Sequence, residues 1–369
     1  MEKNKKILII HDRFKYRGGG ERLVLIMAKG LKADIATEYW NEEESFSKEE
    51  ISAKIFVLGK QIKQTGLSYF FAQWRFFWKT KFIKDYDIII FSGNNCLSAA
   101  WRCRKNQRKI MYCHTPVRYA YDLKDYYLKQ KAFWKKPLFL FFVFIARVIY
   151  KWGIKKMNLV IANSKNVQNR LEKYCNIKSI VINPPIDMEK FKWQPAQASL
   201  SGQGKYYLSF GRVDKLKRID DIVCAFQKMP SKKLIVASGG PELEKIKKMA
   251  EDYDNIKILG FIPDEKLAEL VGNCLASIYI PVDEDFGMTP LEAAAAGKPT
   301  IGVDEGGLKE TIIQGKTGYL IPKNYQIKDV VEAVEWLDEK KALDMREECI
   351  EQAKKFNKEK FVDDVRNVL

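Results

Sequence analysis

The chain has 369 residues, 46% hydrophobic and 30% charged, which excludes extended disorder and allows two domains that each bury a core. The formal net charge of +17 is unevenly placed: residues 1–187 hold 36 Lys and Arg against 16 Asp and Glu, and the remainder 28 against 31. So one-sided a field predicts that the N-terminal half faces an anion, whether a membrane surface, a polyphosphate or a nucleic acid.

Taken in chain order, apolar runs of strand length alternate with amphipathic segments. KILIIH (6–11), DIAT (34–37), KIFVL (54–58), DIIIFS (87–92), KIMYCH (109–114), LVIANS (159–164) and SIVIN (179–183) read as buried parallel strands. Periodicity stops near 184–205, where Pro, Gly, Ser and Gln gather, and the linker is expected at 188–204. A second alternation follows: YYLSFG (206–211), KLIVAS (233–238), NIKILGF (255–261), LASIYIP (275–281), PTIGV (299–303) and GYLIP (318–322). The expected architecture is two doubly wound α/β domains facing across a cleft, 1–187 and 205–369, with the last helix packing back on the first domain.

Two segments are rich in aromatics. YFFAQWRFFWKTKF (69–82) and WKKPLFLFFVFIARVIYKWGIKK (134–156) interleave rings with cations, and with at most nine consecutive apolar residues, Leu138 to Ala146, neither is expected to supply the roughly 20 needed to span a bilayer. Periodicity leaves open whether each is a core helix or an interfacial helix on anionic lipid. Seven scattered cysteines without C-x-x-C spacing, two histidines (His11 and His114) and no apolar leader point to a reduced, cytosolic protein without a structural zinc site.

Three stretches carry candidate chemistry. Gly18-Gly19-Gly20 follows the first strand and opens a helix near Glu21, where backbone could approach a phosphate or simply make a tight turn. Arg212, Lys215, Lys217 and Arg218 leave the strand YYLSFG at its carboxyl end, where open α/β sheets bind ligands, and could serve a diphosphate or be surface charge. In EDFGMTPLEAAAAGKP, Thr289 and Glu292 read as a capping box with Pro290 at the first helical position. That reading leaves Glu284 unexplained, together with Gly287 beside a helix N-terminus that favours anions.

The stretch Glu284 to Glu292 resembles the E-x7-E motif of retaining glycosyltransferases of the GT-B fold, family 4. The supporting pieces stand in the family's order: GGGER, MYCHTPVRYAYD (111–122), VIANSKNVQNRL, INPPID, FGRVDKLKRID, LGFIPDEKLAEL, EDFGMTPLE and DEGGLKETIIQGKTGYLI. CHTPVRYAYD and NPPID are similar to bacterial mannosyltransferases of O-antigen and surface-polysaccharide assembly. The resemblance implies that Glu284 contacts donor-sugar hydroxyls and Glu292 the ribose. Phe286, Gly287, Met288 and Thr289 would lie at the donor, the last three through backbone amides near the diphosphate, and Arg212 and Lys217 would neutralise the leaving diphosphate. Gly18, Gly19 and Gly20 would approach it too, His114 would meet the transferred sugar, and the backbone at Phe261 and Ile262 would meet the base.

What the resemblance implies as a whole is a peripheral enzyme on the inner face of the cell membrane that needs no cofactor or metal. It would move a hexose, best matched to mannose from GDP-mannose, to a lipid-linked saccharide. A UDP-sugar donor is the alternative within the fold, a phosphorylase or nucleotide-sugar epimerase a further one, and a nucleic-acid binder the alternative of another class. Two departures stand out. Asp285 replaces the more usual Gly or Ser, so that Asp283-Glu284-Asp285 also reads as a metal-chelating D-x-D, and Pro290-Leu291 replaces an aliphatic pair.

Overall fold

The computed structural model describes residues 5–49, 51–62, 67–191 and 206–369, and most of the expected linker lies outside them. The chain divides into two compact units: residues 1–184 with 361–369, and residues 185–360. The boundary precedes the expected 187 because Ile186 and Phe191 are buried in the second unit's core.

In the first unit the strands are β1 (Ile7–His11), β2 (Asp34–Thr37), β3 (Ile55–Val57), β4 (Ile88–Ser92), β5 (Arg108–Cys113), β6 (Leu159–Ala162) and β7 (Ile180–Val181). They form one parallel sheet in the order β3-β2-β1-β4-β5-β6-β7. Their unbroken apolar runs have a simple cause, since alternate side chains enter two different cores. Leu8, Ile10, Ile89 and Phe91 join one, and Ile9, Ile35, Ile88 and Ile90 the other.

The helices are α1 (Gly19–Leu31), α2 (Leu67–Trp78), α3 (Lys124–Lys129), α4 (Lys136–Ile154) and α5 (Lys165–Cys175). Helix α1 begins at Gly19, two residues before the expected Glu21, and buries Leu23, Val24, Met27, Ala28 and Leu31 as one stripe. Ser164 caps α5 by accepting from the Val167 amide at 3.0 Å.

Both aromatic segments are helices with one face in the core. Helix α2 buries Ala72 and Phe76, and α4 buries Val143, Ala146, Tyr150 and Ile154. The continuous helical stretch Phe133–Ile154 is longer than expected, and at 22 residues is long and apolar enough to cross a membrane by length and composition. About 28% of that stretch is buried, on the face that packs against its own domain.

The second unit is a parallel sheet of β8 (Tyr206–Ser209), β9 (Lys233–Ala237), β10 (Ile256–Gly260), β11 (Ala276–Tyr279), β12 (Thr300–Val303) and β13 (Gly318–Ile321), ordered β10-β9-β8-β11-β12-β13. Around it lie α6 (Ile219–Gln227), α7 (Leu243–Ala250), α8 (Asp264–Asn273), α9 (Met288–Ala295), α10 (Leu308–Thr311), α11 (Ile327–Trp336), α12 (Glu339–Asp344) and α13 (Arg346–Lys354). Helix α14 (Lys358–Arg366) ends the chain, and its Phe361 and Val365 are buried in the first unit, Phe361 edge-on to Tyr112. Both sheets reverse strand order between their first and fourth strands, which places a switch point at β1/β4 and another at β8/β11.

Candidate active site

At the second switch point two loops are tied together. The chain leaving β11 donates its Val282 amide to the Leu216 carbonyl at 2.7 Å, which brings the loop after β8 against the loop before α9. Lys217 Nζ then donates to Glu284 Oε2 and to the Tyr279 hydroxyl, each at 2.6 Å. Both chains of the ion pair are about one-fifth exposed. Burial opposes the lysine's charge, but Tyr279 and Glu284 more than offset it and push its pKa above the usual lysine value. The Tyr279 ring fits because residue 211 is glycine: a Cβ there would stand 2.6 Å from the ring.

Backbone strain marks the same place. Asp283 and Arg218 adopt left-handed φ of 43° and 52°, an uncommon state for residues with a Cβ, and Gly287 has φ 96°. Gly306 and Gly307 lie against the backbone of residues 283–286, with the Gly307 amide donating to the Glu284 carbonyl at 2.8 Å. A Cβ on Gly287 would meet Leu308 Cδ2 at 2.6 Å, so only glycine fits the turn into α9.

That turn corrects one expectation. Gly287 is itself the N-cap and α9 starts at Met288, so Thr289 lies inside the first turn, Pro290 is third rather than first, and no capping box forms. The physical reason is glycine's access to positive φ, which turns the chain into the helix two residues early. The first amides of α9, from Met288 onward, have no acceptor within the helix and carry its positive dipole end. Glu292 is half-buried one turn farther along.

The Phe286 side chain is 2% exposed and packs edge-on to Phe356, so it anchors the loop in the core. Arg212 stands mostly exposed, 3.9 Å from Asp214. Phe261, 82% exposed, and the half-buried Ile262 follow β10, two strands from β8, with Phe261 beside Gly239 of the loop after β9. Among the described residues no three His, Cys, Asp or Glu gather as a metal would require.

In the first unit the carboxyl ends of β1, β4 and β5 converge. His11 Nδ1 lies 2.6 Å from the Ser92 carbonyl, and Ser92 Oγ lies 2.9 Å from His114 Nε2. Asp12 accepts the amides of Asn94, Asn95 and Cys96 at 2.8–2.9 Å, which fixes the loop after β4. Burial and the nearby His11 push the His114 pKa down to about 3, so its ring is neutral near pH 7. The start of α1 runs beside it, with a Cβ on Gly20 falling 3.7 Å from His114 Cε1. The structure thus joins Gly20 to His114.

Sequence reasoning did not single out Tyr279, Ser92, Asp12 or His11 as site residues. Each ends a strand beside a switch point or directly follows it, and that position was the available signal.

Comparison with known proteins places the chain. Residues 17–190 match the model "Glycosyltransferase Family 4", and residues 191–356 match "Glycosyl transferases group 1". The alpha-1,3/1,6-mannosyltransferase ALG2 of Dictyostelium discoideum is 26% identical over 289 residues, 68% of this chain and 66% of that protein. The N-acetyl-alpha-D-glucosaminyl L-malate synthase of Bacillus anthracis is 30% identical over 185 residues, 47% of this chain and 48% of that one. The matched region thus spans about two-thirds of the first relative's length and about half of the second's.

Among solved structures, sucrose-phosphate synthase from Thermosynechococcus elongatus shares the fold at TM-score 0.81 and 19% identity, covering 99% of this chain and 98% of its own. Anabaena HepE, solved with UDP and glucose, does so at 0.76 and 16%, covering 98% and 99%. With two Rossmann-like parallel sheets and both family models in sequence along it, the chain belongs to the GT-B glycosyltransferases, with a family 4 N-terminal half and a group 1 C-terminal half.

Proposed function

We propose that the protein transfers a hexose from a nucleotide diphosphate sugar to a lipid-linked saccharide with retention of anomeric configuration, as a peripheral enzyme on the cytoplasmic face of a membrane. The observation that carries this is the Lys217–Glu284 pair at the β8/β11 switch point, beside the N-terminus of α9. Lys217 and Arg212 suit the charge that grows on a departing diphosphate, and the first amides of α9 suit its oxygens. Glu284, held by Lys217, offers carboxylate oxygens to sugar hydroxyls, and Glu292 is the ribose partner. Neutral His114 offers a hydrogen bond without a charge, as an uncharged hydroxyl requires.

In this reading the leaving phosphate takes the acceptor's proton, so no protein base and no metal is needed. Mannose from GDP-mannose is the preferred donor, supported by relatives named as mannosyltransferases. HepE's complex with UDP and glucose supports a second reading, a UDP-sugar donor. A screen of GDP- and UDP-sugars that identifies the released nucleotide separates them. Release of GDP from GDP-mannose in the presence of acceptor is expected, and release of UDP alone would move the donor to the second reading. Activity lost to EDTA and restored by manganese would replace the metal-free mechanism with chelation at Asp283-Glu284-Asp285.

A further inference from the structure

We infer that α2 and α4 together form one aromatic face that inserts into the headgroup layer of an anionic bilayer. The inference deepens the membrane part of the reading above and does not depend on which donor is used. The cores settle the inner faces of both helices, and what remains is unusually apolar. On α2, Phe70 and Trp74 are 47% and 51% exposed, and on and just before α4, Trp134, Phe141 and Phe144 are 61–64% exposed. The two helices are neighbours, because Phe142 of α4 meets the rings of Tyr69 and Phe70 edge-on at 5.1 and 6.2 Å. These five side chains alone leave roughly 500 Å² of aromatic surface in water, already in the range of the largest apolar patch on a typical monomer.

Charge decides what covers this face. Residues 67–156 contain 19 Lys and Arg against 4 Asp and Glu, and neither helix contains an acid. A second copy would have to bring one positive surface against another, whereas anionic lipid neutralises both. Cations sit directly on the indoles: Lys135 Nζ lies 4.6 Å from the Trp134 ring centre, and the Arg102 guanidinium 4.9 Å from that of Trp78. Tryptophan beside Lys or Arg is the pairing that settles at the level of lipid headgroups. The buried stripe Val143, Ala146, Tyr150 and Ile154 keeps α4 parallel to the surface of its domain, so it lies on the membrane and does not cross it.

The test is co-sedimentation of the full chain with phosphatidylcholine vesicles, with and without phosphatidylglycerol, together with tryptophan fluorescence. The wild type is expected to pellet with the anionic vesicles and to shift its emission to the blue. The triple variant W134S/F141S/F144S should bind them at least about tenfold more weakly, and F70S/W74S should show the same direction. All five positions are exposed, so the variants should keep the elution volume and the nucleoside-diphosphate affinity of the wild type, which checks their folding separately. Unchanged vesicle binding by the folded triple variant would overturn the inference. So would a wild-type dimer that the substitutions dissolve, or salt-sensitive DNA binding without preference for lipid. Sugar transfer to a water-soluble acceptor tests the enzymatic reading independently of either result.

Discussion

At the residue scale the decisive geometry is three side chains meeting around one ammonium. Glu284→Ala should lower transfer by about 100-fold or more while changing nucleoside-diphosphate affinity little, as expected for a group that acts on the sugar. Initial rates and calorimetric titration of the same preparation separate the two, and equal loss of both would remove the sugar-contact role. Lys217→Ala should instead weaken diphosphate binding by about tenfold or more.

Tyr279→Phe keeps the buried ring and removes only the hydroxyl that accepts from Lys217. Because the hydroxyl's hydrogen bonds to Lys217 and Glu284 are lost and none of the packing, kcat/KM should fall by about tenfold and stability by about 1.5–3 kcal/mol. His114 has a different signature. Its pKa falls from 6.5 to about 3 on folding, so between those values the unfolded chain binds a proton that the folded chain does not. Its contribution to stability is complete above about pH 6.5 and declines as the pH falls, by about 1.4 kcal/mol per unit. Urea unfolding at pH 7 and pH 5 should show a smaller drop for His114→Gln than for the wild type.

At the element scale, the turn into α9 shows where reading by motif failed. Thr289, Pro290 and Glu292 satisfy the residue pattern of a cap, yet the N-cap is Gly287, whose φ of 96° no L side chain adopts without strain, and the helix starts at Met288. Gly287→Ala should therefore cost about 1–3 kcal/mol, from the backbone conformation and from the contact with Leu308, and should displace the first amides of α9, which we propose bind the diphosphate. The denaturation midpoint and diphosphate affinity should fall together.

The strands were the most legible elements because both faces are buried, and a continuous run such as IIIF at 88–91 suits little besides a strand covered on both sides. The aromatic helices were less legible. Ring spacing in α2 and α4 identifies a stripe, but a stripe of Phe and Trp fits a core as well as a lipid surface. Only Ala72, Phe76, Val143 and Tyr150 in the core show which rings are left outside.

At the scale of the whole molecule, the chain builds one unit partly from its far end. Phe361, 2% exposed, packs against Tyr112 of β5, so Phe361→Ala should destabilise the first unit by about 3–5 kcal/mol and leave the second unchanged. Hydrogen exchange resolved by peptide would show faster opening around β5 and α1, with the peptides of β8 and β11 as internal controls.

By itself the sequence determined two α/β halves, their strands, the lopsided charge and the likeness to family 4, because buried parallel strands and glycine-rich turns leave local patterns. Glu284 and Lys217 could be suspected from position in a motif. That they meet Tyr279 around one ammonium was decided by the tertiary structure, since Lys217 lies 62 residues from Tyr279 and 67 from Glu284 along the chain. The same holds for His114, Ser92 and Gly20 at the end of the first sheet. Hydrogen bonds between strand ends depend on sheet order, and sheet order is written in the cooperative packing of the whole domain and not in any one segment.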